Sequence, residues 1–201
     1  NKLEAAKIPV VTLATDLEDT KRTAYVGFNN HRAGETAAWF AQKWLSSLAS
    51  PNVLMTLRND RFKGEVERAA GFTDALKRHL PDAQIIELIE GRDRPSFIQG
   101  IKSTASSRQI DAFYSIGGSN RAILSAFSDL NMRPSIVIAH DLEPDNKELL
   151  ADGSIDLLLY HDFKDDIRNA CRVILSKHFG TKPPDLSSND ALRILAPPAL
   201  G

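Results

Sequence analysis

Hydrogen-bonding side chains gather at the downstream ends of short apolar runs. Leu13 is followed by Thr15 and Asp16, Phe28 by Asn29, Asn30, His31 and Arg32, and Leu57 by Arg58, Asn59, Asp60 and Arg61. Ile89 leads into Glu90, Gly91, Arg92 and Asp93, and Ile116 into Gly117, Gly118, Ser119 and Asn120. Ala139 leads into His140 and Asp141, and Tyr160 into His161 and Asp162. Loops after strands are polar in most proteins, so one such ending decides nothing. All seven together tilt towards a rim built to hold a polar ligand.

Other chemistries fit less well. Gly117-Gly118-Ser119-Asn120 follows a strand and opens a helix, a place where backbone donors can cradle phosphate. It matches neither the Walker A pattern nor the dinucleotide fingerprint, so a tight turn or a ligand-contacting loop is the better reading. The dipeptides His140-Asp141 and His161-Asp162 suggest hydrogen bonding rather than metal binding. Adjacent strand residues point to opposite faces, and no spacing converges three or four ligands. There is no Gly-x-Ser-x-Gly elbow, and Cys171 falls mid-helix on an apolar stripe, as a small core residue would. No nucleophile and no cofactor motif emerge, which speaks against an enzyme. Arg68, in Glu67-Arg68-Ala69-Ala70-Gly71-Phe72, has two readings: a solvated helix arginine, or a guanidinium fork bridging two ligand oxygens.

The elements that position these groups alternate between two periods. Strands are predicted at Ile8–Leu13, Ala24–Phe28, Asn52–Leu57, Gln84–Ile89, Ala112–Ile116, Ser135–Ala139 and Ile155–Tyr160. Most are near-continuous apolar runs, as in parallel strands buried on both faces. Helical spacing links Ala33, Ala37, Phe40, Ala41, Trp44, Leu45 and Leu48, and likewise Val66, Ala69, Thr73, Leu76 and Leu80. Further helices are marked by Ile98, Ile101 and Ala105, by Ile123, Ala126, Phe127 and Leu130, and by Ile167, Ala170, Cys171, Ile174 and Leu175. The residues from Asn1 to Pro9 read as the end of a helix running into a strand. After Gly180 the chain becomes turn-rich, with a short Leu192–Leu195 run as a final edge segment.

Strand–helix alternation implies right-handed crossovers and an open parallel α/β sheet, with ligands beyond the carboxyl ends of the strands. The 201 residues suffice for one or two domains with a sizeable core. With 25 basic and 26 acidic side chains the net charge is -1, which argues against a nucleic-acid surface on this segment. Charges interrupt every hydrophobic stretch, so no membrane span is predicted. A single cysteine excludes an intramolecular disulfide framework.

Several of these stretches are similar to the type I periplasmic-binding-protein fold. They are Ile8-Pro9-Val10-Val11-Thr12-Leu13, Tyr25-Val26-Gly27-Phe28-Asn29-Asn30 with Ala33-Gly34, and Glu67-Arg68-Ala69-Ala70-Gly71-Phe72. The stretch from Ile136-Val137-Ile138-Ala139-His140-Asp141 through Glu148-Leu149-Leu150 and Gly153-Ser154-Ile155-Asp156 to His161-Asp162 resembles the sugar-sensing domains of LacI-type transcription regulators. The likeness runs from Ile8 to about His178.

That resemblance implies two open parallel-sheet α/β subdomains around a cleft for a sugar-like ligand. Residues 1–30 with 161–186 would form the N-terminal subdomain, incomplete in this chain, and residues 31–160 with 187–201 the C-terminal one. Arg68 matches the arginine that grips ligand hydroxyls, Asn120 the Asn or Asp after the middle strand, and Asp141 the aspartate after the next. His161 takes a position often held by Gln, and Asp16 and Asn30 come from the N-terminal side of the cleft. Sugar hydroxyls both donate and accept, which suits carboxylate, guanidinium and amide partners. Phe28, Phe62 and Tyr160 are candidates for an aromatic face against the sugar, or are simply core. The resemblance further implies a cytoplasmic homodimer that reaches operator DNA through a helix-turn-helix head outside this segment. A sugar receptor of an ABC importer shares the same fold and pocket and is the alternative.

Overall fold

Parallel strands need a crossover between them, and in the larger of the two sheets the successive parallel strands are joined by helices. A computed structural model describes residues 2–17, 20–186 and 192–197, arranged as two units. The first comprises 1–29 and 161–193, the second 30–160 and 194–201.

The second unit carries six strands: β3 (Asn52–Leu57), β4 (Gln84–Ile89), β5 (Ala112–Ser115), β6 (Ile136–His140), β7 (Leu157–Tyr160) and β8 (Arg193–Leu195). Their spatial order is β4-β3-β5-β6-β7-β8. β3 to β7 are parallel, with Val53 opposite both Ile85 and Ala112, Ala112 opposite Ile136, and Ile138 opposite Leu157. Burial explains the unbroken apolar runs, since all of β5 and β6 and most of β3 are inaccessible to water. The chain steps outward from β3 to β4 and then returns to the other side of β3 as β5. This reversal opens a crevice at the carboxyl ends of β3 and β5, where sheets of this kind take ligands.

One face of the sheet is covered by α4 (Arg94–Ser107), α5 (Asn120–Asp129) and α6 (Pro144–Ala151). Ile101, Ile123, Phe127 and Leu150 from these helices meet Leu54, Phe113, Val137 and Leu158 from the strands. Phe113 and Phe127 meet edge to face with centroids 5.6 Å apart. Against β3, β5 and β6 pack α2 (Asn30–Leu45) and α3 (Lys63–His79), which also lie tightly against one another. Glycine permits that approach: a Cβ at Gly34 would stand 2.0 Å from the Arg68 carbonyl oxygen, and one at Gly71 2.0 Å from that of His31.

In the first unit, β1 (Val11–Leu13) and β2 (Ala24–Val26) pair in parallel, and α7 (Phe163–Phe179) packs on both. A four-residue helix, α1 (Lys2–Ala5), precedes them. α7 begins with Asp162 accepting from the backbone N–H of Lys164 and Asp165 and ends at Gly180, φ +63°.

Several expectations are corrected. The first strand is confined to Val11–Leu13 rather than starting at Ile8, and α6 was not foreseen. Cys171 is exposed, not core, and Ile167, Ile174 and Leu175 are exposed with it. The buried residues of α7 are Asp166, Asn169, Val173 and Ser176, so its polar face is the one turned inward. Trp44, Leu48 and Val66 are likewise exposed at positions that helical spacing assigned to apolar stripes. The reading of residues 187–191 and 198–201 as part of a C-terminal subdomain falls outside the described residues. Among those described, no helix is long and apolar enough to cross a membrane.

Candidate functional site

At the carboxyl ends of β3 and β5, Gly117 follows β5 and lies against the loop after β3. A side chain there would collide with the Arg58 backbone nitrogen, at 2.0 Å. Gly118 and Ser119 then take left-handed conformations, φ +97° and +58°, and turn the chain into α5. Ser119 is held in this unfavourable region by Glu90 after β4, its Oγ lying 2.8 Å from both carboxylate oxygens. Arg94 Nε donates to the same carboxylate at 2.8 Å. The Gly-Gly-Ser-Asn run is thus a braced tight turn.

Asn120, first residue of α5, is buried. Its Nδ2 donates to Asn146 Oδ1 at 2.7 Å, while its Oδ1 is buried without a hydrogen-bond partner among the described residues. Asn146, in α6, donates from Nδ2 to the carbonyl oxygens of His140 and Asp141, both at 2.9 Å. Asp141 itself has φ +71°, sparsely populated for a residue with a side chain, and its N–H donates to the Leu159 carbonyl at 2.9 Å. Strain at the end of β6 is therefore held by bonds on both sides of the residue.

Arg68 lies one turn into α3 and is 8% exposed, which removes the solvated reading. Its Nε donates to Asn30 Oδ1 at 2.8 Å. Asn30 opens α2 and clusters with the second unit, not with the N-terminal side on which it was expected. Tyr114 on β5 stacks on Phe72, centroids 4.4 Å apart, and its hydroxyl meets His140 Nε2 at 2.8 Å. Burial pushes the Tyr114 phenol well above its usual range; the Arg68 charge opposes this and that of Asp141 adds to it. One polar layer over the ends of β5 and β6 therefore contains Tyr114 and His140, with the charges of Arg68 and Asp141 acting on it. Glu65, on α3, accepts from the N–H groups of Arg58 and Asn59 at 2.8 and 3.2 Å and so orders the loop after β3. Burial raises its pKa, against these bonds and the Arg68 and Arg58 charges.

In the first unit, Asp16 accepts from Thr12 Oγ1 at 2.8 Å and pairs with Arg22 at 2.6 Å. His161 Nδ1 meets Asp166 Oδ2 at 2.5 Å, both buried, with Phe28 edge-on at 5.2 Å. Phe28 is thus core, whereas Phe62 is 46% exposed and Tyr160 half-buried. Tyr114 and Asn146 were not singled out from the sequence. Tyr114 sits inside an apolar run, and Asn146 follows a proline in a helix with almost no amphipathic signal.

Residues 1–180 match the family described as "Periplasmic binding protein domain". No curated protein matches the chain. Among solved structures it is similar to GanP, a glucose-galactose binding protein from Geobacillus stearothermophilus, at TM-score 0.83 and 20% identity, covering 98% of this chain and 71% of that one. AraP, an arabinose binding protein from the same organism, gives 0.79 and 18%, covering 100% and 72%. A putative LacI transcriptional regulator from Bacteroides fragilis gives 0.80 and 16%, covering 98% and 69%. At these identities the likeness bears on the fold, a type I periplasmic-binding-protein-like α/β architecture.

Proposed function

The chain belongs to the periplasmic binding protein domain family, and we propose that it binds a sugar or sugar-like ligand through Arg68, Asn120 and Asp141. The observation that carries this is the buried Asn120 Oδ1, an acceptor without a donor among the described residues, at the carboxyl end of the sheet. Asp141 and Arg68 supply a carboxylate and a guanidinium to the same layer, the set that vicinal hydroxyls match. Asn30 acts through Arg68, whose Nε it receives. Asp16 and His161, in the first unit, stay in the proposed set on the resemblance alone. So do the subdomain assignments, residues 1–30 with 161–186 and residues 31–160 with 187–201, with Asn30 moved to the second of these.

Within this function we infer an effector-binding domain of a LacI-type transcription regulator, cytoplasmic, homodimeric and non-catalytic, controlling DNA binding by cleft closure. The run from His140-Asp141 to His161-Asp162 and the likeness to the Bacteroides fragilis structure support it. The alternative, a sugar receptor of an ABC importer, is favoured by the likeness to GanP and AraP. Calorimetric titration with pentoses, hexoses and sugar phosphates tests the binding. A mobility shift on the full-length protein, with and without the sugar that binds, tests the regulator. Absence of a sugar-dependent shift would favour the receptor.

A further inference from the structure

We propose that Asn146 fixes the orientation of the Asn120 amide, so that the ligand group facing Asn120 Oδ1 must donate a hydrogen bond. A free hydroxyl does so; a phosphate ester, an ether oxygen or a fluorine does not. This rests on the sugar-binding reading and narrows it to sugars unsubstituted at one position.

The argument follows the bonds outward from the backbone. The carbonyl oxygens of His140 and Asp141 can only accept, and Asn146 Nδ2 donates to both at 2.9 Å. Both N–H groups of that amide are thereby used, which leaves Asn146 Oδ1 as the atom facing Asn120. Asn120 Nδ2 donates to it at 2.7 Å. Turning the Asn120 amide over would set oxygen against oxygen at that distance. Asparagine ordinarily offers a ligand either a donor or an acceptor. Here the amide cannot turn over: one N–H of Nδ2 is spent on Asn146, and Asn120 Oδ1, buried without a partner among the described residues, is fixed as an acceptor. Asn146 is accordingly a positioning residue that fixes which side of the Asn120 amide presents its acceptor.

The test uses D-glucose, D-galactose, L-arabinose and D-xylose, titrated into the protein by calorimetry, followed by every monodeoxyfluoro derivative of the sugar that binds. The carbon facing Asn120 is the one whose fluorine penalty disappears in Asn120→Ala. At that carbon the parent should prefer hydroxyl over fluorine by about tenfold. In Asn146→Ala the Asn120 amide is released and can turn its N–H groups to the fluorine, so the preference should fall to about threefold or less. A purely structural role would lower the melting temperature and leave that ratio unchanged. An unchanged ratio in Asn146→Ala overturns the inference while the sugar-binding reading stands. Should that variant not fold, hydroxyl and fluorine bound equally by the parent at every carbon overturn it. Binding of none of the four sugars, alone or with their phosphates, overturns the reading and the inference together.

Discussion

Arg68 Nε donates to Asn30 Oδ1 at 2.8 Å, joining the second turn of α3 to the first residue of α2. The bond spans helices whose backbones meet at Gly34 and Gly71, so the guanidinium is placed by packing as well as by its partner. Arg68→Ala should therefore weaken binding of the sugar at least about tenfold, since a charge-assisted bond to a buried oxygen contributes about 1.5–3 kcal/mol. Arg68→Lys should not restore affinity, because lysine has no planar fork. Calorimetric titration of both variants checks this; parent-like affinity in Arg68→Ala would mean that the pocket lies elsewhere.

The helix crossing makes its own prediction. A methyl group at Gly34 or Gly71 must push a backbone carbonyl aside, where no flexible side chain can yield. Overpacking of this kind costs about 1–3 kcal/mol. For a chain of this length that lowers the melting temperature by about 2–12 °C, at roughly 2–4 °C per kcal/mol. Calorimetric melting of Gly34→Ala and Gly71→Ala should show it, and Gly100→Ala, where a Cβ meets nothing within 4 Å, is the control.

Glu65 gives a pH dependence whose sign can be worked out. Its pKa is raised above 4.5, chiefly by burial, so the folded state binds the proton more tightly than the unfolded chain. Its contribution to stability is thus greatest below the unfolded value and is lost as pH rises through the raised folded one. Glu65→Gln removes this term and keeps a carbonyl oxygen towards the Arg58 N–H. Unfolding by denaturant at a series of pH values should show parent stability, relative to Glu65→Gln, falling as pH rises above about 4.5. A relative rise would show the loop bonds outweighing burial.

Much of the fold was legible because the strands of the second unit are near-continuous apolar runs, buried on both faces in β3, β5 and β6. Asn52–Leu57 and Gln84–Ile89 coincide with β3 and β4 end to end. The carboxyl-end rule points to the loops after β5 and β6, which hold Asn120 and Asp141. Periodicity failed where an apolar stripe does not face the core, as in α7, because spacing gives the width of a stripe and not what covers it. It failed again at α6, only eight residues long and started by Pro144, where Leu149 and Leu150 are too few to set a period. The second layer of the site, Tyr114 and Asn146, was hidden for a related reason. A hydrogen bond between β5 and β6, or between α5 and α6, joins residues 26 positions apart, and no local pattern encodes it.

The last prediction separates stability from binding at Asp141. Its φ of +71° is a conformation glycine enters freely and other residues at a cost of about 1–2 kcal/mol, less for aspartate. Asp141→Gly relieves that strain but adds freedom to the unfolded chain, so stability should change by less than about 1 kcal/mol. Asp141→Ala keeps the strain and has no polar side chain to ease it, and should be less stable than the glycine variant by about 1 kcal/mol. Both lack the carboxylate, so both should lose sugar affinity alike, by at least about tenfold. Denaturant unfolding paired with calorimetric titration reads the two quantities separately. A glycine variant that binds like the parent would show that Asp141 serves the turn after β6 and not the ligand.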